Sequence, residues 1–335
     1  MDRLRQKESK MERCRVETWL FGFVMVIGCL LAGCGVESAG PEPSPTTTTL
    51  YLGETPPGGT PEPFAPGVVN TAAIELNGVV SPDGREFFFT RVVDDVFIMH
   101  RRRLGEDGGW SDPEPIFTYP NQEPALAVDM AYSPDGARLY FLGRYSDDLG
   151  AEETNSDLFV IERRGDGWSM ASALPAPVNT PDFSESYPSV TADGSLYFSS
   201  DRTGGFGKSD IWRAQRRDDG SFDEPVNLGP PVNTEHSEGD TYVAPDESWL
   251  VVTSRRPGGP GGGDLFVAFR DADGAWSEPQ PLPPPINSEM LDYCPMGTPD
   301  GRSLFFSRRT GETWDDADAG DVWWVDLAVI EQMRP

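Results

Sequence analysis

One pattern is written five times in this chain. Each copy has an acidic residue, a Pro-Asp-Gly-type turn, an apolar stretch ending near arginine, a variable loop, an aspartate and a second apolar stretch. The turns read SPDG at 81–84, SPDG at 133–136, TADG at 191–194, APDE at 244–247 and TPDG at 298–301. Their aspartates, Asp83, Asp135, Asp193, Asp246 and Asp300, are 52, 58, 53 and 54 residues apart. A fixed period of this size with strand-like content means a radial or solenoid array.

The third copy shows what one unit contains. Residues 187–190 read as a short strand, and Asp193-Gly194 supplies the positive backbone angle that closes a hairpin. Residues 195–199 and 211–214 are two more strands. A turn at 218–220 leads to a fourth at 221–226, where Pro225 removes a ladder donor and so belongs at an outer edge. Trp110, Trp168, Phe222 and Trp276 each open such a fourth strand. Four short antiparallel strands per repeat describe a propeller blade.

The two ends are complementary. Asn121, Asn179, Asn233 and Asn287 each lie 13 or 14 residues before the next turn aspartate, and Asn70 lies 13 before Asp83. Residues 61–70 therefore look like a fourth strand and loop with no blade in front, while the fifth copy stops at its third strand, 322–325. The expectation is an all-β, five-bladed β-propeller of four-stranded antiparallel blades over residues 61–326. The N-terminal strand completes the last blade and removes an open edge, and 327–335 is left as a C-terminal tail.

With five such copies quoted, the chain resembles the bacterial Pro-Asp-Gly (WD-like) β-propeller repeat family, found in TolB-like periplasmic proteins and envelope lipoproteins. The stretches at 185–212 (ESYPSVTADGSLYFSSDRTGGFGKSDIW) and 238–267 carry the likeness, which spans about residues 61–326. The fourth copy departs from the pattern, with Glu247 in place of the turn glycine. The resemblance implies a fold, and a scaffold that hosts many activities.

The N-terminus points to a location. Residues 1–17 are charged and net basic, and 19–33 form an apolar run of 15, the length of a signal-peptide core rather than a membrane span. The run ends Leu31-Ala32-Gly33-Cys34, which resembles the lipobox of bacterial lipoproteins. On that reading 1–33 is a signal peptide and Cys34 is lipidated. Residues 34–60, rich in Pro, Thr and Gly, form a flexible tether. Gly35, rather than Asp, leans the sorting toward the outer membrane of a diderm host. The alternative is an uncleaved short anchor. Of the four cysteines, Cys14 and Cys29 leave with the signal and Cys34 is consumed by lipid. Cys294 alone remains, with no intrachain partner. It reads as a buried inert thiol, the alternative being a reactive or metal-binding one.

Charge limits the partners. Four acids and six bases lie in residues 1–33, so 51 acids face 21 bases in the remainder, a net charge of −30. Such a surface excludes nucleic acid and anionic lipid as partners. Membrane contact is then through the lipid anchor only, and a monomer is expected.

Two sets of residues are candidates for a site. Eight residues before the turn aspartates stand Glu75, Ala127, Glu185, Glu238 and Asp292, with Asp129 and Asp240 two residues further along in the second and fourth copies. These positions begin the innermost strands, so their carboxylates are expected around one mouth of the central channel. They either accept backbone hydrogen bonds as a repeated architectural device or bind Ca²⁺ or a cationic or polyhydroxylated ligand. The second set is arginine–aspartate pairs pinning the base of each variable loop. These are Arg91 with Asp95, Arg144 with Asp157, Arg202 with Asp210, Arg255 with Asp264 and Arg308 with Asp321.

No catalytic signature stands out. His100 and His236 are the two histidines, neither near a Ser or Cys motif, and no phosphate-binding glycine loop or metal-spaced His or Cys cluster is present. The acidic stretches at 271–274 and 316–321 read as a hairpin turn and a solvated loop, the alternative being calcium loops. The expected function is a non-catalytic envelope lipoprotein that binds a protein or glycan partner through its loop-rich, acidic face. The alternative is a five-bladed glycosidase using inner-strand carboxylates.

Overall fold

A computed structural model describes residues 51–94, 96–116, 126–144, 155–311 and 319–335. The expected signal peptide, Cys34, most of the tether, Asp95 and Asn121 lie outside them.

Each copy of the repeat folds as an antiparallel meander. The first contains Ile74–Val80, Glu86–Val93, Val96–Arg103 and Glu114–Pro115. The second contains Ala127–Tyr132, Arg138–Gly143, Asp157–Arg164 and Ser172–Ala173. The third runs through Glu185–Val190, Leu196–Ser200, Asp210–Ala214 and Val226–Asn227. The fourth runs through Glu238–Val243, Trp249–Ser254, Asp264–Phe269 and Gln280–Pro281. Leu291–Gly297, Ser303–Arg309 and Gly320–Asp326 follow as three more strands. The outermost strands are only two residues long, and in three of the four a proline lies within or next to the strand and limits its pairing.

Across the long gap in sequence, Glu62 pairs antiparallel with Trp324 and Pro63 with Trp323. The Phe64 amide donates to the Val322 carbonyl at 2.8 Å. A single parallel bridge, Ile74 to Gly320, joins this last meander to the first. The first strands of successive meanders lie against one another in chain order, and Leu291–Gly297 lies against Ile74–Val80. This is the architecture of a β-propeller, nearly all β. The single α-helix among the described residues is Ala328–Glu331. None of them forms a helix long and apolar enough to cross a membrane.

The turns explain the repeated aspartate. Asp83, Asp135, Asp193, Asp246 and Asp300 each accept a hydrogen bond from the backbone amide two residues on. The glycine that follows takes φ of 66–84° in four copies, and Glu247 takes 57° in the fourth. The loop asparagines are a second local device. The Asn179 side chain accepts from the Leu158 amide and donates to the Leu158 carbonyl. Asn233 does the same to Ile211, Asn287 to Leu265, and Asn70 to Val322, 252 residues away. Each amide side chain thus stands in for one more strand residue beside a third strand.

Apolar side chains fill the spaces between neighbouring sheets. Between the last sheet and the first, Phe64 is fully buried with its ring centroid 5.0 Å from Phe87, 4.8 Å from Phe305 and 5.0 Å from Trp324. The apolar body extends past both boundaries read from sequence. Tyr51, assigned to the tether, is buried with its ring 5.5 Å from Trp324. Ile330, assigned to the tail, is buried in the cluster containing Trp249 and Phe269. Composition misses both because one aromatic or aliphatic side chain suffices to dock an otherwise polar segment.

Phe64→Ala is expected to cost about 3–5 kcal/mol, the usual range for emptying a buried aromatic site. Urea denaturation followed by tryptophan fluorescence reads it. Asn70→Ala, which leaves the Val322 amide and carbonyl without their partner, is expected to cost about 1–3 kcal/mol in the same assay.

Candidate functional site

Glu75, Glu185, Glu238 and Asp292 are each fully buried at the start of a first strand. Their surroundings are the same four times over. Four or five residues back, a hydroxyl residue caps the carboxylate with both its backbone amide and its side chain. These caps are Thr71 on Glu75, Thr180 on Glu185, Thr234 on Glu238 and Ser288 on Asp292. An arginine at or just beyond the end of the second strand closes the other side, with Arg91 at 2.7 Å, Arg202 at 2.9 Å, Arg256 at 3.0 Å and Arg308 at 2.6 Å. The same guanidinium reaches on to two carbonyls of the incoming loop. Arg91 bonds Val68 and Val69, Arg202 bonds Pro177 and Val178, Arg256 bonds Pro231 and Val232, and Arg308 bonds Pro285 and Ile286. Each carboxylate is therefore satisfied on all sides. Burial pushes the Glu185 and Asp292 carboxyls upward against the pull of their arginines and caps. The second copy has Ala127 at this position and no clamp.

The arginine–aspartate pairing read from sequence is corrected by this geometry. In the first and last copies the arginine faces the carboxylate directly across the ladder, Glu75 opposite Arg91 and Asp292 opposite Arg308. In the third and fourth copies Ser200 and Ser254 take the facing position and donate to the carboxylate, and the arginine comes from two residues further along. The fourth clamp is thus Arg256, not Arg255, because the second strand there is one residue longer after its turn. Arg255 forms no ion pair among the described residues, and none joins Arg144 to Asp157 or Arg308 to Asp321. Asp210 and Asp264 do brace their loops, but through glycine-rich backbone. Asp210 accepts from the Phe206 and Gly207 amides, and Asp264 from Gly261. A Cβ added at Gly205 or Gly259 would fall 1.7 Å or 2.1 Å from the aspartate oxygen, which is why these loops need glycine. The expected partner of Arg91, Asp95, lies outside the described residues.

Asp129 and Asp240 separate from the other four. Every first strand carries a β-bulge just after its opening residues, between Leu76 and Val79, Val128 and Ala131, Ser186 and Ser189, Glu238 and Thr241, and Tyr293 and Met296. The bulged residue two places beyond the clamp position is Asn77, Asp129, Tyr187, Asp240 or Cys294. All but Asp240 have φ between 50° and 59°. A tyrosine and a cysteine in the left-handed region are sparsely populated conformations that only tight surroundings maintain. The five side chains line one small cavity, closed further by Pro188, Pro295 and Met296. The Asn77 side chain accepts from the Met130 amide at 2.6 Å. The Cys294 sulfur is 3.1 Å from an Asp129 oxygen and 3.0 Å from an Asp240 oxygen. Burial, and then the neighbouring carboxylate, push Asp129 well above the usual carboxylate range, and burial raises Asp240 as well. Burial and the two aspartates push the thiol upward. The pair Asp129 and Asp240 was legible from sequence; that their equivalents Asn77, Tyr187 and Cys294 complete a ring was not, although aligning the copies two places past the clamp carboxylate displays the whole column.

At the opposite end of the sheets Glu247, the exception among the turn residues, bridges two neighbours. It accepts from Arg213 at 2.8 Å, from Arg270, and from the Tyr197 hydroxyl at 2.8 Å. A turn glycine could make none of these bonds, so the strain of φ 57° is offset by an inter-sheet tie.

No protein-family model matches the chain, and no curated protein does. Among solved structures, a protein assigned as TolB from Agrobacterium tumefaciens aligns at 20% identity and TM-score 0.47, over 73% of each chain. TolB from Acinetobacter baumannii aligns at 15% and 0.44, over 76% of this chain and 54% of its own. An alpha-L-arabinofuranosidase from Lactobacillus brevis aligns at 16% and 0.45, over 76% and 90%. Non-enzymes and enzymes thus sit at equal distance, and likeness of this degree does not distinguish them.

Glu238→Ala strands the buried Arg256 and is expected to cost about 3–5 kcal/mol. Asp223→Ala, which removes an exposed partner of Arg217, is expected to cost below about 1 kcal/mol. Because the four clamp carboxylates already have their donors, calcium at fixed ionic strength should leave the melting temperature unchanged. Glu247 gives a pH signature. Burial raises its carboxyl, but Arg213, Tyr197 and Arg270 outweigh that and hold it below the usual value. A lowered folded value means stability that is present above the ordinary glutamate range, about 4.3, and is lost as pH falls through the folded value. The stability difference between wild type and Glu247→Gln, measured by denaturation from neutral to acid pH, should shrink on acidification.

Proposed function

We propose that the chain is a closed five-bladed β-propeller, lipid-anchored at Cys34 outside the cytoplasm, and that it serves as a non-catalytic binding or scaffold module of the cell envelope. Five meanders, four of them carrying the same clamp, and the pairing of Glu62 and Pro63 with Trp324 and Trp323, support the blade count. The observation that carries the functional reading is the state of the inner-strand carboxylates. A glycoside hydrolase needs two of them facing a sugar, one free to give a proton. Here Glu75, Glu185, Glu238 and Asp292 are fully buried and bound to arginine. Asp129 and Asp240 have no arginine, but they close on a cavity of about 10 Å³, far too small for a sugar ring.

Recognition then belongs to the loops. The loop at 201–209 carries Phe206, 54% exposed, and Met290 is 45% exposed on the loop that enters the last first strand. Gly207 packs on the backbone of Thr234 and His236, and Gly261 on that of Ser288 and Met290, so the variable loops of the third and fourth repeats rest on the incoming loop of the next repeat. Exposed aromatic and thioether side chains on a rigid, acidic scaffold suit a protein or glycan partner and repel anionic surfaces.

Three measurements test this reading. Cys34→Ser should abolish palmitate labelling and release the protein from membranes; persistence of labelling overturns the anchor. Crosslinking in intact cells should give a discrete adduct that Phe206→Asp reduces by about tenfold, the scale of a single interface anchor. Release of sugars from envelope or plant-type polysaccharides, abolished by Glu185→Gln or Glu238→Gln, would instead establish the glycosidase.

A further inference from the structure

The ring on the propeller axis has a donor set that the clamps lack. Asp129, Asp240 and Cys294 come from three different repeats, and one ligand atom from each lies within 4.8 Å of the others. Asp129 is 6% exposed, yet among the described residues its carboxylate meets no arginine, lysine, amide or hydroxyl donor and touches only the thiol. Neither aspartate has an ion pair among the described residues. A thiol has one proton to give and here faces two carboxylate oxygens. Two buried carboxylates and a thiol without a cation are costly. The contrast is internal to the molecule, since the four clamp carboxylates each meet an arginine, whereas among the described residues Asp129 and Asp240 meet no cation and only Asp240 is reached by backbone amides.

We propose that Asp129, Asp240 and Cys294 together ligate one thiophilic divalent cation of the zinc class on the propeller axis. Size fits, because the cavity they line with Asn77 and Tyr187 has a volume of about 10 Å³, room for a single atom. Spacing fits as well. Tetrahedral zinc with bonds of about 2.0 Å to oxygen and 2.3 Å to sulfur separates those ligands by about 3.5 Å. The sulfur–oxygen distances of 3.0 and 3.1 Å require shifts of only a few tenths of an ångström. Ligand chemistry selects the ion. Calcium takes six to eight oxygens and does not favour sulfur, whereas thiolate with carboxylate suits zinc and its softer neighbours. On binding, the thiol proton leaves to solvent and the cation takes its place between the three groups, giving a net charge of −1 from three anions and two positive charges. The fourth ligand is a water or the Tyr187 phenol. The ion joins the second, fourth and fifth repeats at the point where no sheet hydrogen bonds can reach.

The test uses the full-length chain, stripped with chelator and dialysed. Cobalt(II), as a spectroscopic stand-in, should give a thiolate-to-metal charge-transfer band that zinc bleaches, and zinc but not calcium should raise the melting temperature. Losing a ligand should weaken zinc binding at least as much as losing a supporting group does, about 10–100-fold. The band should therefore vanish in Cys294→Ser, and zinc should no longer stabilise Asp129→Asn/Asp240→Asn. That double variant removes two buried charges and so keeps the fold measurable if Cys294→Ser does not. Absence of the band, equal stabilisation by calcium and zinc, or full zinc stabilisation of the double variant would each overturn the proposal.

Discussion

The buried clamp of arginine, carboxylate and hydroxyl is the interaction on which the rest of this structure depends. One guanidinium holds the first strand through its carboxylate and the incoming loop through two carbonyls, and it lies over aromatic rings of its own sheet, as Arg308 does over Phe306 and Trp323. Taking such a charge pair out of water is expensive, and attraction between the partners alone seldom repays it. Here the cost is offset because each carboxylate also receives an amide and at least one hydroxyl, so no lone pair is left facing apolar surroundings. What the clamp gives is geometry. It fixes where the first strand begins, and so where the bulge two residues later projects its side chain.

That consequence gives the molecule two kinds of carboxylate separated by two residues. Glu238 and Asp240 lie on the same strand and are both buried. Glu238 is neutralised by Arg256 and serves the frame. Asp240 passes the bulge and faces Asp129 and Cys294 across the axis. The same division holds in the last repeat between Asp292 and Cys294. A scaffold with this internal register can change its axial chemistry one residue at a time without disturbing the sheets. The five different residues found there, Asn77, Asp129, Tyr187, Asp240 and Cys294, are what such freedom produces.

Much of the fold was legible because the signals were local and repeated. The turn aspartates, the loop asparagines and the missing fourth strand of the last repeat are all visible along the chain, and each corresponds to a repeated hydrogen bond or a strand pairing. The arginine partners were not legible. Sequence placed Arg202 and Asp210 eight residues apart and suggested a pair across a loop, whereas the ladder puts Glu185 nearer and the loop amides of Phe206 and Gly207 already occupy Asp210. Arg255 and Arg256 are adjacent in the chain, and only strand length decides which of them points at Glu238. Tyr51 and Ile330 were assigned to a tether and a tail because a composition window averages away a single docking side chain.

By itself the sequence determined the repeat, its period, the turn chemistry, the strongly negative charge and the complementary ends. The turns follow from backbone preferences and hydrogen bonds that act over a few residues, and the complementary ends follow from the repeat itself, which shows what each end lacks. The tertiary structure alone decided which carboxylates meet an arginine and which are left without a cationic partner. That outcome depends on desolvation and on which donor lies within three ångströms, and residues such as Asp129 and Cys294, 165 positions apart, meet only once the sheets are packed around their axis.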